Sequence, residues 1–486
     1  MRRLLTIILT ISLSLSAFAK LSVKYPCSDG MVLQQQCEAL VWGHASPGAK
    51  INVKTSWDNK IYHSLTDEKG VWRVNVSTPK ASYTNYQIEV RGDADKMVIK
   101  DVLIGEVWLA SGQSNMEMPI RGFFNCPVEG AAEVIATPAM PDKIRMFTVE
   151  ITPTLEPQDD VQKTHGWRKA SPQTVSEMSA TAYFYAKRLQ SVLDVPVGIV
   201  NFPRGGARVE SWLPREVLEA YGTEDCSPEG VMKRRDWERA YMMYNGMQHP
   251  IQGYTAKGFI WYQGCSNVGA DEVFVERMSK LISLWREDWG DTEAKMPFYM
   301  VEIAPFAYQG GQMGRSAALR AAQLQVSREV ANCELVCTND LVATYEFDNI
   351  HPCKKKEVGD RLAFLALNRD YGFSKIPCYS PQVCSELEID PQDPSVLMLS
   401  LSNCPNGLSR YNEIEGLEIC GQDGIFLPVN KVQYKWETRK LKISHPAIKN
   451  PVELRYAWGD YRPGNIKNAE GLPLFPFRLK LSVEVQ

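Results

Sequence analysis

Charge of one sign is what this 486-residue chain most plainly lacks: 54 Lys and Arg stand against 57 Asp and Glu, a formal net of −3. That balance argues against electrostatic binding to nucleic acid or to a membrane surface. Apolar runs long enough to cross a bilayer are missing after the first residues, so no membrane insertion is expected. Histidine is scarce, at six. The 12 cysteines show neither the doubled Cys-x-x-Cys spacing nor the histidine neighbours of a zinc site. Metal and cofactor are therefore not expected. Cys333 with Cys337 and Cys378 with Cys384 are local pairs that could bridge in an exported protein, although structural or free thiols are the simpler reading. Tandem repeats and low-complexity tracts are absent too, as is the Gly-x-Ser-x-Gly nucleophile elbow.

What is present begins with an export signal. Arg2 and Arg3 precede the apolar stretch Leu4–Leu13, and Ala17-Phe-Ala19 closes it in the small-x-small pattern of a cleavage site. Residues 1–19 read as a secretory signal peptide, with the mature chain starting near Lys20 in the periplasm or outside the cell. No cysteine follows the cleavage site to carry a lipid anchor.

Three parts follow. Residues 20–100 hold short alternating runs, such as Ile51-Asn-Val-Lys-Thr55, between turns at Ser46-Pro-Gly48 and Glu68-Lys-Gly70, the pattern of a small β-sandwich. Residues 101–373 alternate apolar strands with helical patterns, which predicts an α/β three-layer domain with a mostly parallel sheet. Its clearest helix is Ala180–Leu193, and the Pro-rich polar stretch from Arg121 to Lys163 reads as loops. From residue 374 to 486 the β pattern returns, at Val396–Leu401, Leu417–Ile419 and Val432–Trp436, as a second β domain.

The chemistry concentrates in four segments. Val102–Ala110 reads as a buried strand that breaks into Ser111-Gly-Gln-Ser-Asn115, which puts Ser114 at the carboxyl edge of a sheet, where open α/β sheets bind ligands. On these residues alone Ser114 is either a nucleophile or a helix cap. Asp348-Asn-Ile-His351-Pro352 places a carboxylate beside a histidine on one loop, so Asp348 could hold one imidazole nitrogen and leave the other free to take a serine proton. Gly205-Gly206, after the strand near Val197–Val200, lets backbone amides approach a developing oxyanion. Gln263 and Asn267, after the strand Gly258–Tyr262, could add a side-chain donor. Arg208 could meet an anionic substrate group, although a surface position is the simpler reading. Trp212 and Tyr262 flank the site blocks and could stack on a sugar ring; core packing is the competing reading for each. The sequon Asn75-Val-Ser77 has meaning only in a eukaryotic source.

These segments together resemble the sialate O-acetylesterase family of SGNH (GDSL-like) hydrolases. The resemblance lies in Gly105-Glu-Val-Trp-Leu-Ala-Ser-Gly-Gln-Ser-Asn-Met116, Gly205-Gly206 with Glu210-Ser-Trp212, Ile260-Trp-Tyr-Gln-Gly264, and Ile350-His-Pro352 with Val358-Gly-Asp-Arg-Leu-Ala363. Shorter matches, such as Gly30-Met-Val-Leu-Gln34 and Leu454-Arg-Tyr-Ala-Trp458, extend it over almost the whole mature chain. It implies an α/β/α hydrolase domain with Ser114 as nucleophile, His351 as general base and Asp348 as the orienting acid. It also implies an oxyanion hole of Ser114, Gly205 and Gly206 amides with Gln263 or Asn267; Glu210, in the second matching block, is a candidate substrate-binding residue. The substrate expected from the resemblance is an acetylated carbohydrate, O-acetylated sialic acid first and acetylated xylan or another glycan second. One departure stands out: Cys265 occupies a position where the family usually carries glutamate. That departure keeps open a second class, a glycan-binding protein whose hydrolase domain has lost activity. The sequence sets no oligomeric state.

Overall fold

The computed structural model describes residues 20–482 except 93–94, 138–142, 309–313, 430 and 436–438. The expected signal peptide and Trp436 lie outside the described residues. The molecule has an α/β fold organised by one long strand, Lys96–Gly112. Its first half pairs antiparallel with Ser82–Arg91 and parallel with Val32–Gln34, inside the N-terminal β region. Its second half runs between the parallel strands Val197–Asn201 and Gly258–Tyr262. The boundary expected between residues 100 and 101 therefore falls within a single continuous strand.

Across the parallel sheet the order is Trp167–Lys169, Ile144–Thr148, Val197–Asn201, Lys96–Gly112, Gly258–Tyr262, Phe298–Val301 and Cys333–Val336, with only the first strand antiparallel to its neighbour. After Lys96–Gly112 the chain builds first to one side and later to the other. The carboxyl end of that strand is thus the topological switch point, the place where open α/β sheets bind ligands. Ile144–Thr148 sits inside the stretch expected as loops. Its signal was masked by Arg145, which is fully buried and donates to Gly30 O at 2.8 Å and Asp101 Oδ1 at 2.9 Å.

Side chains alternate between two cores, as the period of two demands. Val107 and Leu109 join Phe259, Trp261, Leu281 and Trp285 on one face. Trp108 and Ala110 join Ile260, Tyr262 and the helices Ala180–Leu193 and Lys355–Asp370 on the other. Helix Ala180–Leu193 has the limits expected from sequence: Ser179 Oγ accepts from Ala182 N at 3.2 Å, and Asp194 ends it in a left-handed conformation.

Residues beyond the helix Lys355–Asp370 form two antiparallel sheets around a third core. They are bolted to the helix Arg315–Glu329, where Arg320 donates to Gly459 O at 2.6 Å and Ser316 N donates to Asp460 Oδ1 at 2.9 Å. All 12 cysteines are free thiols, so neither local pair bridges. Among the described residues no helix is long and apolar enough to cross a membrane.

Candidate active site

Glycine makes the first turn possible. Gly112 has φ +134, and a Cβ there would stand 2.2 Å from Tyr262 O. The chain then locks onto the adjacent strand: Gln113 N donates to Tyr262 O at 2.9 Å, and Gln113 Oε1 accepts from Gly264 N at 2.7 Å. Ser114 opens the short helical turn Ser114–Glu117.

Its hydroxyl lies 2.8 Å from His351 Nε2, so residues 237 positions apart form one dyad. The histidine loop is tied to the serine turn from behind. Asn115 Nδ2 donates to Ile350 O at 3.0 Å, and Lys355 Nζ donates to both Asn115 Oδ1 and Pro352 O at 2.7 Å. The His351 amide donates to Asn349 Oδ1 at 2.9 Å, and the Phe123 ring meets the imidazole edge-on at 5.2 Å. Burial, then the Lys355 charge, pushes the imidazole down to about 4, which favours the neutral ring a general base requires.

Asp348 does not reach this ring. Its side chain is exposed and has no hydrogen bond or ion pair among the described residues. The cause is the 3-10 turn Thr344–Glu346, which points Glu346 inward instead. Glu346 is buried and accepts from Ala343 N at 3.2 Å and Cys353 N at 2.8 Å, closing the loop on itself. His351 Nδ1 faces Cys126 Sγ at 3.8 Å.

The expected oxyanion donors divide into two groups. The Ser114 and Gly206 amides have no partner among the described residues. The Gly205 amide, by contrast, donates to the Glu117 carboxylate, whose proton affinity burial raises. Gln263 and Asn267 are used as braces rather than free donors. Gln263 Nε2 donates to Asn267 Oδ1 at 2.7 Å and Ala207 O at 3.2 Å, while Asn267 Nδ2 donates to Glu210 at 3.1 Å and its Oδ1 accepts from Val209 N at 3.1 Å. Both therefore fasten the glycine loop from beneath.

The four residues expected beside the substrate serve the interior. Arg208 is half-buried and not free: it forks onto Glu224 at 2.9 and 3.1 Å. Glu210 is fully buried and bonded to Arg277. Trp212 is fully buried against Trp261 and Trp285, edge to face at 6.0 and 6.1 Å. Tyr262, also buried, lies beneath the Lys355 ammonium, 5.9 Å from its ring centre. Each was placed near the site by its block, but an apolar or paired environment inside the fold claims the side chain. Cys265 is buried as well, and burial raises its thiol pKa, which makes it a poor nucleophile. Among the described residues no group of three or more His, Cys, Asp or Glu could hold a metal ion.

A serine hydroxyl on a neutral imidazole, with free amides beside it at the edge of a parallel sheet, is equipment for acyl transfer. Residues 104–368 match the family described as carbohydrate esterase, sialic acid-specific acetylesterase. The chain belongs to this family. It is 26% identical to the sialate O-acetylesterase of Homo sapiens over 461 residues, covering 89% of this chain and 86% of the human one. The Mus musculus sialate O-acetylesterase is 26% identical over 404 residues, 72% of this chain and 74% of the mouse one. A carbohydrate acetylesterase from Xanthomonas citri superposes with a TM-score of 0.83 at 28% identity, covering 95% of this chain and all of that one.

As a member of this esterase family the protein is a carboxylic ester hydrolase. Five residues of the esterase's site escaped the sequence reading: Gln113, Asn115, Glu117, Cys126 and Lys355. Gln113 and Asn115 flank Ser114 directly, Glu117 lies three residues after it and Lys355 four residues after His351, so proximity along the chain to Ser114 and His351 was the available signal.

Proposed function

We propose that this protein is an exported serine esterase that removes O-acetyl groups from carbohydrate, with O-acetylated sialic acid the first substrate and acetylated xylan or another glycan the second. The 2.8 Å contact between Ser114 Oγ and His351 Nε2 carries this reading. The names of the mouse, human and Xanthomonas citri relatives support the substrate class. A switch point at Ser114, with helices on both faces of the sheet, supports the three-layer SGNH arrangement, residues 20–100 and 374–486 being its β flanks.

In the base-competent tautomer Nδ1 carries the proton and Nε2 accepts from the serine hydroxyl. Ser114 Oγ attacks the acetyl carbonyl carbon as Nε2 takes its proton. The oxyanion forms opposite the Ser114 and Gly206 amides. Collapse breaks the ester C–O bond, and the sugar oxygen leaves with the proton from His351. Water then gives its proton to His351 and adds to the acetyl-enzyme; acetate departs and Ser114 recovers its proton.

Acetate release from O-acetylated sialic acid and from acetylated xylan, by the parent and by Ser114→Ala, tests the reading. Release abolished by the substitution upholds it, and the preferred substrate decides the glycan class. A second reading, a glycan-binding protein of impaired activity, draws on the Glu117 carboxylate at the Gly205 amide and on Cys265. Glycan binding with no release, even from a simple acetyl ester, would favour it.

A further inference from the structure

One ionisable group at the site has no part in the steps above. Lys355 opens the helix Lys355–Asp370, and its side chain runs inward until the residue is only 1% exposed. A buried ammonium is costly unless its donors are met, and it offers three donors and no acceptor. Two are spent on oxygens of particular residues: Asn115 Oδ1 and Pro352 O, both at 2.7 Å. Asn115 follows the nucleophile and Pro352 follows the base. The charge also lies 5.9 Å from the Tyr262 ring centre, on the strand whose end receives the Gln113 amide. Asn115 completes a ring of contacts, since its amide nitrogen donates back to Ile350 O at 3.0 Å. Among the described residues no carboxylate oxygen forms an ion pair with this ammonium.

We propose that Lys355 is a positioning residue for the ester hydrolysis, its buried ammonium holding the serine turn and the histidine loop within reach of each other. This inference rests on the Ser114–His351 reading of the function. The clamp also acts electrically. Burial and, after it, the Lys355 charge keep a proton off the imidazole, and the groups facing Lys355 are His351, Glu346, Cys353, Cys126 and, from the turn after Gly264, Cys265. Burial pushes Lys355 itself down to about 7, so its charge is present across the acidic range where His351 titrates.

The test compares the parent with Lys355→Met and Lys355→Gln on a small aryl acetate. Expected for Lys355→Met is a loss of about 10²-fold in kcat, the cost of displacing a reacting group by roughly 1 Å. KM should stay within about threefold, because the clamp touches no substrate. The acidic limb of kcat/KM should move to higher pH in both variants, since each removes the cation beside His351. Lys355→Gln should recover part of kcat, because an amide can still donate to Asn115 and Pro352. His351 is titrated in parallel by NMR, a readout independent of turnover and of the substrate.

Parent-like kcat in Lys355→Met, or an acidic limb and His351 titration that do not move, would overturn the proposal. Should Lys355→Met fail to fold, Lys355→Gln carries both readouts. A parent without Ser114-dependent turnover refutes the proposed function instead, and the His351 titration still decides whether Lys355 governs the base.

Discussion

Cys126 Sγ stands 3.8 Å from His351 Nδ1, on the side of the imidazole where a serine hydrolase usually offers a carboxylate. The ring is held by other means: its edge on Phe123, its amide on Asn349, and the Lys355 clamp behind the loop. Asp348→Asn should therefore leave kcat within about fivefold of the parent, against the loss of roughly 10⁴ when a bonded triad acid is neutralised. Cys126→Asp, which brings a carboxylate to Nδ1, should favour the imidazolium and move the acidic limb of kcat/KM to higher pH. Steady-state rates between acid and neutral pH decide both; a collapse of activity in Asp348→Asn would show that the loop rearranges during turnover.

The pH dependence follows from the direction of the His351 shift. Activity should hold down to mildly acidic pH and fall as pH drops through about 4, where the base becomes protonated. Stability should show the same group. Its folded value of about 4 lies below the ordinary 6.5, so the unfolded chain binds more protons between the two. His351 thus opposes the fold increasingly as pH falls through this window, and the slope vanishes below its folded value. His351→Gln should flatten that part of the curve of Tm against pH, and an unchanged slope would assign acid sensitivity to other groups.

Gln263 and Asn267 separate bracing from catalysis. A direct oxyanion donor, when removed, costs about 10²–10³ in kcat and little stability. Asn267→Ala instead strips a donor from the buried Glu210 and an acceptor from the Val209 amide. It should lower stability by about 1–3 kcal/mol, the cost of unpaired buried polar groups, and slow the enzyme in step with loosening of the Gly205 loop. Thermal melts beside kcat distinguish the cases: a large rate loss at unchanged Tm would return Asn267 to the oxyanion hole.

Much of the architecture was legible where one period dominates. Ala180–Leu193 has a capping serine and a continuous apolar face, and the strands Lys96–Gly112, Val197–Asn201 and Gly258–Tyr262 each carry a mostly apolar run towards the site. Ile144–Thr148 was not legible, because its buried Arg145 reads as surface until Gly30 and Asp101 are brought to it by the fold. Ser114 and His351 were singled out through their blocks, and the fold brings the two side chains to 2.8 Å. Asp348 was misplaced because the spacing to His351 says nothing about which way a loop turns, and Glu346 won the inward position. The side chains of Arg208, Glu210 and Trp212 went to the interior for the same general reason: a motif fixes neighbourhood along the chain, while pairing and burial fix direction.

Gly112 offers the most direct test of how the serine turn is built. At φ +134 an L-residue is strained by about 1–3 kcal/mol, and its Cβ would also press 2.2 Å from Tyr262 O, a backbone atom of the neighbouring strand that cannot yield without parting the sheet. Gly130 provides the control. It is left-handed too, at φ +75, but nothing lies within 4 Å of a Cβ there. Gly130→Ala should therefore cost only about 1–2 kcal/mol and leave kcat near the parent value. Gly112→Ala should cost more than the control in Tm and reduce kcat by about 10²-fold or more, because any relief of the clash moves Ser114 away from His351. Equal effects of the two substitutions would mean that the strand edge is soft, and that the 2.8 Å contact is not held by the turn.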